Sequence, residues 1–123
     1  MKHERGSITV VAAAVIAITV VATMGVADIG KALVARDHAQ QAADAAALAA
    51  AQELALPTGR SPAEVAGDLA ARNGAALTAC TCAAGTADAL VEVRVPVGAL
   101  LLVPGALNAT ARARAVVDLP GQP

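Results

Sequence analysis

Charge is confined at the start of the chain to Lys2, His3, Glu4 and Arg5, and then it disappears. From Gly6 to Ala27 there are 22 residues without Asp, Glu, Lys or Arg, and Ile8 to Val21 is Val, Ile and Ala with two threonines. As a helix this stretch is about 33 Å long, enough for a bilayer core of about 30 Å. β-Branched residues are poor helix formers in water. Lipid overrides that preference, because every backbone group there must be bonded within the segment. The pattern therefore predicts a basic leader over 1–6 and a transmembrane helix over 7–27. Lys2, Arg5 and the terminal amine favour a cytoplasmic N-terminus and an extracytoplasmic remainder.

The helical pattern continues outward. Residues 28–56 are dominated by Ala, and Lys31 to Leu56 contains no Gly and no Pro. Ala32, Ala35, Ala39, Ala42, Ala46 and Ala49 form a seam at spacings of three and four, while Asp37, Gln40, Gln41 and Asp44 collect on the other side. This is an amphipathic helix whose apolar face is nearly all methyl groups, and small side chains allow another backbone to approach closely. The seam is expected to pack against neighbouring subunits. Asp28, Gly30 and Lys31 are candidates for a bend. Pro57, Thr58 and Gly59 end the helix.

Residues 57–123 read as a small extracytoplasmic α+β domain. Ser61-Pro62-Ala63-Glu64 is a capping box with Pro at the first helical position, and it predicts a helix to about Asn73, stopped by Gly74. Val65, Leu69 and Arg72 share one face, with Ala66 and Ala70 beside it. The period then changes. Ala76 to Cys82 reads as a strand and Ala83-Ala84-Gly85-Thr86 as a turn. Leu90 to Val97 alternates, with Val91, Val93, Val95 and Val97 inward and Glu92 and Arg94 outward. Pro96 marks an edge strand or the end of pairing. An apolar connection, Gly98 to Leu107, leads to a last alternating stretch from Thr110 to Leu119, with Thr110, Arg112, Arg114 and Val116 on one face. Leu100-Leu101-Leu102-Val103 within the connection is either a cover for the core or a docking patch. A domain this small is marginal alone, so the sheet is expected to rest on the 31–56 helix. The predicted class is α+β, with a long N-terminal helix, a short helix and a small antiparallel sheet.

Composition narrows the function. The 123 residues are 57% hydrophobic and 15% charged, with a formal net charge of −1 and no Phe, Tyr or Trp. Absence of aromatic stacking platforms and of a basic excess argues against nucleic-acid binding. No phosphate loop, dinucleotide fingerprint or pair of catalytic carboxylates is present, so no small-molecule substrate, cofactor or catalytic residue is assigned. His38 beside Asp37 belongs to a solvated helix face, because adjacent helix residues do not face each other. Cys80 and Cys82 are the only cysteines. In a strand, Cys-x-Cys puts both thiols on one face; an intramolecular disulfide, free thiols and pairing with another chain all remain open. A metal site needs about four ligands, and nothing accompanies these two. Glu92, Arg94, Arg112 and Arg114 are candidates for cross-strand pairing.

The run Arg36-Asp37-His38-Ala39-Gln40-Gln41-Ala42-Ala43-Asp44-Ala45-Ala46-Ala47-Leu48-Ala49-Ala50-Ala51 resembles the Ala-rich block of TadE/TadG-like proteins, pseudopilin-like components of Flp-type tight-adherence pilus systems. Arg5-Gly6-Ser7 followed by apolar residues resembles the leader of the same family. The short actinobacterial TadE-like proteins encoded beside secretion genes are similar. The resemblance covers 5–56, with a weaker echo in Thr110 to Ala115. It implies a non-enzymatic minor pilin or pseudopilin in the cell membrane. Its partners would be membrane lipid, other pilin or pseudopilin subunits and secretion-system membrane proteins. It also implies cleavage between Gly6 and Ser7, as in type IV prepilins. Many pilins carry Glu at the fifth mature position, which here is Val11. The alternatives are an uncut anchor and a secreted soluble binding protein cleaved after Ala27, where Gly25-Val26-Ala27 places small residues before Asp28.

Overall fold

The computed structural model describes residues 4–118. Met1, Lys2 and His3 of the leader, and Leu119 at the end of the expected last strand, lie outside them. The elements are α1 (Glu4–Ala55), α2 (Pro62–Arg72), β1 (Ala76–Thr81), β2 (Asp88–Pro96) and β3 (Asn108–Val116). This is the α+β arrangement that the periodicities predict.

α1 is one unbroken helix of 52 residues, roughly 78 Å long. No break occurs at Asp28, Gly30 or Lys31. Its two halves live in different surroundings. The side chains from Ile8 to Val21 are exposed on all faces, whereas beyond Ala35 one side is covered. In the exposed half, the hydroxyls of Thr19 and Thr23 donate to the carbonyls of Val15 and Thr19, each at 2.8 Å. Those bonds consume polar groups that would be costly in hydrocarbon.

α2 starts as the capping box requires. The Glu64 N–H donates to the Ser61 hydroxyl at 3.1 Å, and the Ser61 N–H donates to the Glu64 carboxylate at 3.2 Å. Its fully buried residues are Ala66 and Ala70, with Val65 and Leu69 half-buried beside them. The buried face is therefore centred on the alanines rather than on the larger residues. Gly74 stops the helix at φ +69°, a conformation that a Cβ disfavours.

The sheet is antiparallel with order β1-β2-β3. β2 is central, so Pro96 is the end of pairing and not an edge marker; its partner is Asn108, the first residue of β3. α1 lies over β2 and β3, and α2 lies beside it over β1. Both helices cover one face of the sheet. The other face, carrying Leu90, Arg94, Arg112 and Arg114, is exposed.

The core between these layers is made of small side chains. Ala39, Ala42, Ala43, Ala46, Ala47 and Ala50 of α1 are buried against Ala66, Ala70, Val91, Val93, Ala111 and Ala113. The largest fully buried side chains are Val91 and Val93. Methyl-lined faces let the helices approach closely, so contact density replaces side-chain bulk.

Candidate functional site

The residues from which an assembly surface can be built fall into three zones along α1: the bare shaft, a junction near Asp28, and the helix beneath the sheet. Gly6 and Ser7 sit in the first turns of the shaft and are exposed. The shaft continues with exposed Val10, Val15, Ile18 and Val21, and among the described residues no other element covers these side chains. It is long and apolar enough to cross a membrane.

The junction is where α1 meets the segment linking β2 to β3. Asp28 is buried although it follows directly on the bare shaft. One of its carboxylate oxygens accepts from the Leu101 N–H at 2.7 Å, and the other accepts from the Leu102 N–H at 2.8 Å. Lys31 Nζ donates to the Ala99 carbonyl at 2.7 Å. A bend-forming role for Asp28 and Lys31 is replaced by this one: both tie the apolar connection to the helix. The partners are 68 to 74 positions away in sequence. No local pattern could reveal them. The available signal was two opposite charges one turn apart at the end of an uncharged stretch.

Beneath the sheet, Ala35, Ala39, Ala42, Ala46 and Ala49 of the expected seam are buried, while Ala32 is exposed. The structure corrects the seam's partner. The buried alanines face this chain's own sheet and α2, not an open surface for a neighbouring subunit. The buried stripe is also wider than one seam, since Ala43, Ala47, Ala50 and Ala51 join it. Two elements, the sheet and α2, flank α1, and a single 3–4 row cannot serve both.

Past this zone the chain reverses. Glu53 is buried at the end of α1 and accepts from the Thr58 N–H at 2.6 Å and the Thr58 hydroxyl at 2.9 and 3.0 Å. The Thr58 N–H above all, helped by the Thr58 hydroxyl and the N–H groups of Arg60 and Gly59, holds its carboxyl below the ordinary glutamate range against the opposing effect of burial. On the exposed sheet face, Arg112 pairs with Glu92, and the guanidinium keeps the Glu92 carboxyl low as well. Arg114 pairs with Asp88 at 2.7 Å. Exposed pairs of this kind contribute little to stability, because solvent screens them. A shallow groove of about 670 Å³ between α1 and β3 is lined by Arg36, Asp37, Gln40, Glu92 and Arg112 among others. Glu53 and Glu92 give a testable acid response. A carboxyl with a depressed folded pKa contributes its stability in full above the unfolded value, ordinarily 4.5, and loses it as pH falls through the folded value. Thermal melts of the detergent-solubilised chain should be flat near neutral pH and fall below about pH 4.5. Glu53→Gln should lower the neutral plateau and flatten that fall; an unchanged acid limb would exclude Glu53 as its source.

Cys80 and Cys82 sit on the core side of the sheet at the end of β1, half-buried, with Cα atoms 5.5 Å apart and their sulphurs in contact. Their orientation depends on a β-bulge. Leu77 pairs with Val93 and Ala79 with Glu92, so Thr78 is an extra residue. The bulge shifts the alternation by one, and Cys80 and Cys82 join Leu77 against the core. Among the described residues no group of three or more His, Cys, Asp or Glu side chains is placed to hold a metal ion.

The zones of α1 coincide with the one comparison that gives a match. Residues 6–53 match the TadE/G-like Flp pilus-assembly family. The matched segment lies wholly within α1, covering the shaft, the junction and the Ala-rich stretch, and it stops before α2 and the sheet. The similarity to that family is thus confined to the long helix. The chain matches no curated protein and no solved structure.

Proposed function

We propose that this protein is a minor pilin or pseudopilin-like membrane component of an Flp-type (Tad) pilus or a related secretion system, and that it acts by packing and assembly rather than by chemistry. The observation that carries the reading is the division of α1: an uncovered apolar shaft at one end, and at the other a folded head built on the same helix, within a segment that matches the TadE/G-like family. Residues 7–27 hold the subunit in the membrane, with the N-terminus cytoplasmic and the head on the other side. Because the subunit's own sheet occupies Ala39 and its buried neighbours, contact with other subunits falls to the shaft and to exposed α1 residues such as Ala32, Val34 and Leu48. Membrane lipid and other pilin-type subunits and secretion-system membrane proteins are the partners of this reading.

Two processing steps belong to it. The leader is removed between Gly6 and Ser7, and Cys80 and Cys82 close an intramolecular disulfide in the extracytoplasmic compartment. Intact-mass measurement on protein from the native membrane fraction tests both. A mass starting at Ser7, increasing by 2 hydrogen masses on reduction (about 2 Da for one disulfide), is the expected result. A product starting at Asp28 in the soluble fraction would remove the anchor and overturn the proposal. An uncut N-terminus would make the protein a permanent membrane scaffold instead of a fibre subunit.

A further inference from the structure

The connection between β2 and β3 returns from the sheet to the junction and lies where the shaft ends. From Val95 to Ala111 it holds no charged residue. Val97 lies by Gly30, Lys31 and Val34 of α1, and the chain then runs further towards the N-terminal half. Leu102 Cδ1 is 3.7 Å from the position a Cβ on Gly25 would take. Gly25 lies inside the uncharged 6–27 stretch, about one turn short of Asp28. The apolar tip is therefore at the level where the uncharged helix ends, and it is the part of the head nearest the shaft.

Its side chains are not consumed by packing. Leu101, Leu102, Val103 and Leu107 are 57%, 46%, 45% and 44% exposed. Val26 and Ile29 of α1, at the same level, are exposed too. Four hydrogen bonds fix the connection's backbone at this level. Asp28 takes up the Leu101 and Leu102 N–H groups, Lys31 takes up the Ala99 carbonyl, and the Val97 N–H donates to the Leu107 carbonyl at 2.9 Å. A loop tied to α1 at these points, with its leucines turned outward, suits the boundary between headgroups and acyl chains, where headgroups and water meet its remaining backbone groups.

We propose that the tip Leu101–Val103 is a second membrane contact, seated in the headgroup and acyl boundary of the leaflet on the head's side. The occupant of this apolar patch is lipid, because the patch continues the lipid-facing surface of α1 through the Leu102–Gly25 contact. The seat sets the depth of α1 and the tilt of the head, and the Asp28 and Lys31 bonds transmit that orientation to the helix. The inference rests on the membrane-anchor reading above.

The chain contains no Trp, Tyr or Phe, so one introduced tryptophan reports without background. Three variants of the full chain, Leu101→Trp, Val15→Trp and Val116→Trp, are reconstituted in phosphatidylcholine vesicles containing lipids brominated at shallow or deep acyl positions. Val15 lies mid-shaft, and Val116 is exposed on the outer sheet face. The expected result is strong quenching of Leu101→Trp by shallow bromines, of Val15→Trp by deep bromines, and of Val116→Trp by aqueous acrylamide only. Water-like emission from Leu101→Trp, with Val15→Trp still quenched, would overturn the loop's seat while leaving the anchor intact. Blue-shifted Leu101→Trp emission without bromine quenching would also overturn it, since a protein surface would then cover the tip. Loss of quenching at Val15→Trp would overturn the anchor reading and this inference together. Far-ultraviolet circular dichroism confirms that each variant is folded.

Discussion

Ala46→Leu is expected to dislodge the head from α1 while leaving the shaft helical and in the membrane. Ala46 has no exposed surface and sits in the middle of the buried stripe beneath the sheet. Around it, Ala42, Ala43, Ala47 and Ala50 are equally enclosed. Leucine adds three carbon atoms where an all-alanine helix face packs against the sheet. Overpacking a tight core costs about 1–3 kcal/mol, and this site belongs at the upper end because backbone positions set the gap. A head of this size has a total stability of only a few kcal/mol. Gln41→Leu, on the exposed side of α1, is the control. Amide exchange of the β2 and β3 ladder in detergent should accelerate strongly in Ala46→Leu and stay unchanged in Gln41→Leu. Equal protection in the two variants would mean that the layers separate more easily than their close contact implies. In cells, Ala46→Leu should abolish assembly without altering membrane insertion, because it removes the head's seat and not the anchor.

Val93→Ala is the opposite experiment, removal of bulk from a core that has little. Val91 and Val93 are the largest side chains that the protein buries completely. Both project from the central strand onto α1, so neighbouring backbone surrounds the space a truncation would leave. The lost transfer free energy and the residual cavity together come to roughly 2 kcal/mol. For a domain of this length that corresponds to a fall in melting temperature of about 8–16 °C. Val116→Ala, on the exposed end of β3, should change it by far less. A small effect at Val93 would show that the alanine-lined layers close over the gap.

The two variants probe one design from both sides. The helix face contributes closeness and the central strand contributes the largest fully buried side chains, so both addition on α1 and deletion on β2 are expected to destabilise the head. That also explains how a fold without a single aromatic side chain holds together. Its small sheet is laid on the long α1 helix, and α2 closes the open flank beside β1.

Local features of the chain were legible wherever their cause was local. The uncharged run 6–27, the alanine periodicity that follows, the Ser61–Glu64 capping box, the Gly74 stop and the valine alternation of β2 depend on neighbours within a few residues. The helix, cap, stop and strand appear where the pattern places them, while Ala32 of the seam is exposed and Val97 falls just past β2. The α+β class follows from their order. The resemblance of 36–51 to a TadE/TadG-like block was legible for the same reason, and the match over 6–53 lies on the same helix.

What only the tertiary structure decided involves residues that are distant in sequence, or a parity that one inserted residue reverses. Ala39 and Ala46 form an apolar seam in any helical reading, but periodicity says that a face is covered and never by what; here the cover is the chain's own sheet and α2. Thr78, as the extra residue of a bulge, turns Cys80 and Cys82 towards the core, and no alternation count anticipates an extra residue. Asp28 read as a candidate for a bend in the helix. Its two bonds to Leu101 and Leu102 arise only because β2 and β3 pair in one register and drop their connection beside the shaft. Helical and strand periodicities are short-range and can be read along the chain, whereas the meeting of faces is a property of the folded whole.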